Sequence, residues 1–232
     1  MTREDAKAAV SAEGWLAARP PRFREQLLGL CQLAKFRKGQ TIYSAGDPPG
    51  GMYGLIEGSL RIELVVEGIG AQVAFVGRPG FWIGVASAIR REKRVLTLSA
   101  ASPSQMFYLP IAGFEALAGD SENMRHFAIL NAENADLILS GARDLMNPDI
   151  TARVASRLLA IFGRGGDSGE DPPAGQVAIT QADLAMVCNV SRKTINQELA
   201  SLAQAGLIRL GYGTLALTDV AALRRVARGA GR

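Results

Sequence analysis

Residues 190–208, Val190-Ser191-Arg192-Lys193-Thr194-Ile195-Asn196-Gln197-Glu198-Leu199-Ala200-Ser201-Leu202-Ala203-Gln204-Ala205-Gly206-Leu207-Ile208 (VSRKTINQELASLAQAGLI), decide how the rest of the chain is read. Val190, Ile195, Leu199 and Leu202 are spaced as one buried face of a helix, and Arg192, Lys193, Asn196 and Gln197 gather on the opposite face. All four of those polar side chains can donate hydrogen bonds.

The flanking residues give this helix a setting. Thr180 is placed to cap QADLAMVC, with Asp183 at the capping-box N3 position where Glu or Gln is commoner. Asn189 tolerates positive φ and suits a tight turn, after which Ser191 caps the second helix. Two short helices, with small Ala185 where they would cross, make a helix-turn-helix pattern. Beyond it, LIRL, GYG and TLAL predict a hairpin over 207–217. A helix fits the major groove of DNA, its first turns approach base edges, and its N-terminal amides favour a nearby phosphate. The other reading of the same pattern is a helical hairpin with a solvated polar face.

Charge agrees with the first reading. The chain carries 26 Lys+Arg and 22 Asp+Glu over 232 residues, a net +4. Residues 1–149 hold 16 of each sign and residues 150–232 hold 10 basic against 6 acidic, so the whole excess lies in the last third. That is where a polyanion would dock.

Upstream, Asp149 can cap ITARVASRLLAIF, followed by the glycine-, proline- and acid-rich stretch GRGGDSGEDPPAGQ, which reads as a loop. Asn147-Pro148 ends a preceding helix, since proline cannot donate to the ladder and disfavours helical geometry before it. That helix, 121–147, carries two stripes. One is Met124, Ala128, Asn131, Ala135, Ile138, Ala142 and Leu145, in the alternating four-three spacing of a coiled-coil seam. The other is Phe127, Leu130 and Leu137, with Asn134 and Gly141 between. Two faces to bury want two partners, so the first is assigned to a second copy of the chain and the second to its own barrel. A helix buried within one domain is the alternative.

Between Phe36 and Pro110, strand-length apolar runs (TIYSAG, GMYGLIEGSLRIELVVEG, AQVAFVGRPGFWIG, VLTLSA, MFYLP) are broken by Gly, Pro and Asp, which predicts an antiparallel sandwich or barrel. Residues 22–33 read as a short helix before it. The expected domains are 1–120, a β-roll with N-terminal helices; 121–147, the long helix; and 148–232, the winged helix-turn-helix.

Several classes are not expected. No apolar run reaches about 18 residues and MTREDAKAAV lacks the apolar core of a signal peptide, so a soluble cytoplasmic protein without membrane contact is expected. Cys31 and Cys188 have no metal-ligand spacing, and both read as buried thiols. With one histidine, His126, and no phosphate loop or nucleophile elbow, neither catalysis nor a cofactor is expected.

The segment TQADLAMVCNVSRKTINQELASLAQAGLI resembles the winged helix-turn-helix of the Crp/Fnr family of bacterial transcription regulators, and DITARVASRLLAIF is similar to the helix that opens that domain. LAKFRKGQTIYSAGDPPGGMYGLIEGSLRI resembles the family's β-roll, with Gly39, Gly46-Asp47 and Gly58 at its turns. The likeness runs from about residue 22 to 220. It implies an α+β chain: an antiparallel roll, a long dimerisation helix and a C-terminal winged helix. It implies double-stranded DNA, a second copy of the chain and RNA polymerase as partners, with a small-molecule effector for the roll. Positions matching Arg192, Lys193 and Gln197 read bases in the family; Thr180, Ser191 and Thr194 are placed for phosphates, and Asn196 completes the DNA-facing set. Positions 193 and 197 differ from the Glu and Arg of the family's best-known member, so its preferred DNA sequence is not carried over.

The roll departs further. The Gly-Glu and Arg-Ser pairs that hold ribose and cyclic phosphate in the family's nucleotide binders match Gly84-Val85 and Arg94-Val95 here, and the base-contacting positions of the long helix fall on Ile138 and Leu139. The expectation is that cyclic AMP does not bind. Trp82, Val85, Val95, Ile138 and Leu139 imply an apolar cleft, for a hydrophobic effector or filled as core. A ligand-binding or protein-interaction protein, with the roll as its working part and an inert last domain, is the rival reading.

Overall fold

The computed structural model describes residues 2–163 and 176–229. In chain order its elements are α1 (Arg3–Ala12), α2 (Gly14–Ala17), α3 (Pro21–Leu30), β1 (Gln32–Phe36), β2 (Thr41–Tyr43), β3 (Met52–Glu57), β4 (Leu60–Val66), β5 (Gly70–Gly77) and β6 (Trp82–Ile83). Then follow α4 (Val85–Arg90), β7 (Thr97–Ala100), β8 (Ser104–Leu109), α5 (Ile111–Ala118), α6 (Ser121–Met146), α7 (Ile150–Phe162) and β9 (Gln176–Ala178). The chain ends with α8 (Gln181–Cys188), α9 (Arg192–Gln204), β10 (Ile208–Gly211), β11 (Thr214–Leu217) and α10 (Val220–Ala227). The stretch 164–175, most of the predicted acidic loop, lies outside the described residues.

Two compact units result, residues 1–71 with 77–135 and residues 72–76 with 136–232. The chain forms two four-stranded antiparallel sheets before α6, in the orders β1-β8-β3-β6 and β2-β7-β4-β5. At the start of β4, buried Leu60 and Ile62 alternate with half-buried Arg61 and Glu63, the period-two pattern of a strand with one face on a core. Gly39, Gly46 and Gly58, read as turn residues, have φ of 80°, 93° and 97°, a region that Cβ-bearing residues avoid. Together with α6 and the C-terminal winged helix, this is the α+β architecture expected from the sequence.

The first half of α6 is rooted in this unit through aromatic contacts. The Phe127 ring lies 4.8 Å from Phe114, 5.5 Å from Phe23 and 6.2 Å from Trp15. Such pairs add about 0.5–1.5 kcal/mol each beyond their burial. Leu130 is buried beside them, and the Asn134 amide donates to the Trp82 carbonyl at 3.2 Å. The Phe127 stripe therefore packs on its own chain, as read. On the other stripe Met124 is half-buried beside this core, and Asn131 is half-buried. Ala128, Ala135, Ile138, Ala142 and Leu145 are exposed.

The second unit is built around α7. Asp149 caps it, accepting from the Ala152 N–H at 3.1 Å, and Val154, Leu158, Ile161 and Phe162 join the core with Leu184, Val187, Leu215 and Leu223. The last turns of α6, from Asp136 onward, belong to this unit. A buried ion pair is the reason. Asp144 accepts from Ser156 Oγ at 2.8 Å and faces Arg157 Nε at 3.5 Å, with both charged side chains buried. Gly141 gives the guanidinium its space, because a Cβ there would sit 2.6 Å from Arg157 Nη2.

Removing one partner of such a pair strands a buried charge, at about 3–5 kcal/mol. Asp144→Ala should lower the urea-unfolding free energy by that order, and Asp144→Asn, which keeps a hydrogen-bond acceptor for Ser156, by less. Equal, small losses for both would show that the pair does not hold α6 to α7.

Candidate nucleic-acid interface

The turn between α8 and α9 follows from local chemistry. Thr180 Oγ accepts from the Asp183 N–H at 3.0 Å and starts α8. Asn189 takes the left-handed conformation, φ 50° and ψ 53°, which ends it. The Val190 N–H then reaches back to the Ala185 carbonyl at 2.9 Å, and Ser191 Oγ accepts from the Thr194 N–H at 3.0 Å to start α9.

Ile195, Leu199 and Leu202 are buried at 0–3% exposure, each contributing about 1.5–3 kcal/mol to docking α9 on the core. Arg192, Lys193, Asn196 and Gln197 are all exposed on the opposite side, as the spacing predicted. The exposed row continues through Ala200, Ser201 and Gln204, which the sequence reading did not single out although the same periodicity reaches them. Glu198, the carboxylate of α9, is turned away from this row and accepts from Thr151 Oγ1 on α7 at 2.8 Å. That contact, which one helix read by itself does not reveal, keeps a negative charge off the donor face.

The three hydroxyls assigned to phosphates serve first as structure. Thr180 and Ser191 cap helices, and Ser191 Oγ lies 2.8 Å from Thr194 Oγ1. Each hydroxyl has one proton, so the Ser191–Thr194 pair keeps one O–H for an outside acceptor.

The wing is present, with strand order β10-β11-β9, and β9 is a third strand that the sequence reading missed because it is only three residues long. Gly211 pairs with Thr214 across the tip, leaving Tyr212 fully exposed and Arg209 exposed on β10.

In the roll, Gly84 takes a left-handed conformation at the start of α4. Arg94 is buried, donates to the Gly51 carbonyl at 2.6 Å and the Gly84 carbonyl at 3.2 Å, and lies 4.4 Å from the Tyr43 ring centre. Trp82 and Val85 are inside the core at 1% exposure, whereas Val95, Ile138 and Leu139 are 65–66% exposed. Apolar character alone does not tell a core position from a solvated one.

Cys31 and Cys188 are buried, and burial pushes both thiols up to about 12, which leaves almost no thiolate at neutral pH. The His126 ring centre lies 4.5 Å from that of Phe23 with the planes tilted by 58°, and desolvation lowers its pKa.

A sequence model of the Crp-like helix-turn-helix domain matches residues 152–226, and one of the cyclic nucleotide-binding domain matches 33–121. The chain belongs to the Crp/Fnr family. It is a Crp/Fnr-type DNA-binding transcription regulator and not an enzyme. It is 27% identical over 211 residues to the transcriptional regulator SdrP of Thermus thermophilus, covering 87% of this chain and 98% of that one. It is 24% identical over 208 residues to a CRP-like cAMP-activated global transcriptional regulator of Mycobacterium tuberculosis, covering 85% and 88%. The fold is shared with FixK2 of Bradyrhizobium japonicum, with a TM-score of 0.71 and 20% identity over 84% of this chain and 96% of that one. No helix among the described residues is long and apolar enough to cross a membrane.

Proposed function

We propose that this Crp/Fnr chain acts as a homodimer on a near-palindromic DNA site, with α9 of each copy in successive major grooves about 34 Å apart. The exposed donor row of α9 carries this reading. Arg192 suits the O6/N7 edge of guanine and Gln197 the N6/N7 edge of adenine, Lys193 and Asn196 lie on the same face, and Thr180, Ser191 and Thr194 meet phosphates. Arg192→Ala should cost about 1–3 kcal/mol on the preferred site and little on unrelated duplex, read by fluorescence anisotropy. Affinity should also fall steeply with salt. A chain that ignores duplex DNA at low salt would overturn the reading in favour of a roll-only binding protein.

The seam of the dimer is the exposed row Ala128, Ala135, Ile138, Ala142 and Leu145, with Asn131 and Met124 toward its upper end. Ile138 is 66% exposed in a single chain, so charging it should spare the fold while breaking the seam. Ile138→Glu should sediment near the 24.6 kDa chain mass and the parent at twice that value. Unchanged dimerisation of the variant would place the seam elsewhere.

The roll is proposed not to bind cyclic AMP, although a Mycobacterium relative is named as activated by it. Val85 replaces the carboxylate expected for the ribose, Val95 replaces the phosphate-binding hydroxyl, and the Arg94 guanidinium is engaged by two carbonyls and the Tyr43 ring. Unpaired nucleotide groups would cost about 1–3 kcal/mol each. Titration calorimetry with millimolar cyclic AMP should give no saturable heat, and a micromolar Kd would contradict this. Any effector would act on the angle between the domains, near Asn147-Pro148-Asp149, by preferring one arrangement over another.

A further inference from the structure

The carboxylate of α9 is satisfied from off the helix: Thr151 Oγ1, in the first turn of α7, donates to Glu198 Oε2 at 2.8 Å. Glu198 forms no ion pair among the described residues, so this hydroxyl is what holds it. We propose that Thr151, which lies outside the donor row, is a positioning residue for DNA binding: by holding Glu198 it leaves the Ser191–Thr194 pair free to donate to a DNA phosphate. The role rests on α9 as the DNA surface.

Thr194 and Glu198 stand four residues apart, so they share one flank of α9, where both are half-buried. Helical side chains lean toward the N-terminus, so a Glu198 released from Thr151 lies back over Thr194 rather than forward over Ser201. Neither cation of the row takes the place of Thr151, because Arg192 and Lys193 are not three or four residues from Glu198 and do not face it. What Thr194 offers is a proton. Ser191 Oγ lies 2.8 Å from Thr194 Oγ1 and accepts from the Thr194 N–H at 3.0 Å, and two hydroxyls in contact keep one O–H between them. With Ser191 as the donor, that O–H is on Thr194, within the reach of a released carboxylate. An ionised carboxylate competes with a phosphate for the same proton. It also repels the phosphate, at a helix N-terminus whose amides otherwise attract it. The Thr151 hydroxyl prevents both effects with one bond.

Fluorescence anisotropy of the full chain on a selected duplex and on an unrelated one tests this. Thr151→Val keeps the shape of the side chain and removes its donor. It should weaken binding roughly 3–10-fold per half-site, the size of one lost hydrogen bond. Phosphate contacts carry no sequence information, so the loss should appear on both duplexes, unlike that of Arg192→Ala. It should also shrink as salt rises, because the repulsion is screened. Thr151→Ser keeps the hydroxyl and should bind as the parent does. Thr151→Val/Glu198→Ala should recover parental affinity, since the competing carboxylate is gone. Parental affinity in Thr151→Val, or a double variant as weak as the single one, would overturn the proposal while leaving DNA binding in place. A parent chain that ignores both duplexes would instead overturn α9 as the DNA surface, and this role with it.

Discussion

Burial of Ile195, Leu199 and Leu202 fixes the rotation of α9, and the donor face depends on that rotation. At 3.6 residues per turn a helix that sinks positions 195, 199 and 202 must present 192, 193, 196 and 197 on the far side. A slip of one residue would bury Asn196 and expose an apolar row, with both changes unfavourable. The caps act in the same direction. Ser191 starts the helix just ahead of Arg192 and Lys193, so two cations stand at an N-terminus whose amides also attract phosphate. Glu198 would weaken that field, and its bond to Thr151 takes it away.

The long helix obeys a second constraint. Phe127 and Leu130 root it in an aromatic core, while Gly141 and Asp144 root its other end on α7. Aromatic packing tolerates small rearrangements, whereas a buried carboxylate–guanidinium pair is costly to separate. The last turns of α6 therefore belong with the DNA-binding unit.

Much of this was legible in the sequence where local chemistry is decisive. Thr180, Asp149 and Ser191 cap the helices they were assigned, Asn189 takes the left-handed turn, and the Phe127 stripe packs inward. Among the elements that went unread are three-residue β9, six-residue α4 and α10 behind its Asp219 cap, which are short or lack a strong period. The effector positions show a different limit of the sequence. Val85 and Val95 are equally apolar as letters, yet one is core and the other solvated, because burial of an isolated valine is decided by tertiary neighbours. The Asp144–Arg157 pair was out of reach for the same reason: two charges thirteen positions apart are a pair only once two helices have packed.

The claim that the donor row of α9 is the surface that meets DNA is tested most directly by amide hydrogen exchange of the full chain with and without its selected duplex. Protection should concentrate in residues 191–204 and the wing around Tyr212, with the strands of the roll little changed. Protection confined to the roll, with 191–204 exchanging as in the free chain, would contradict it.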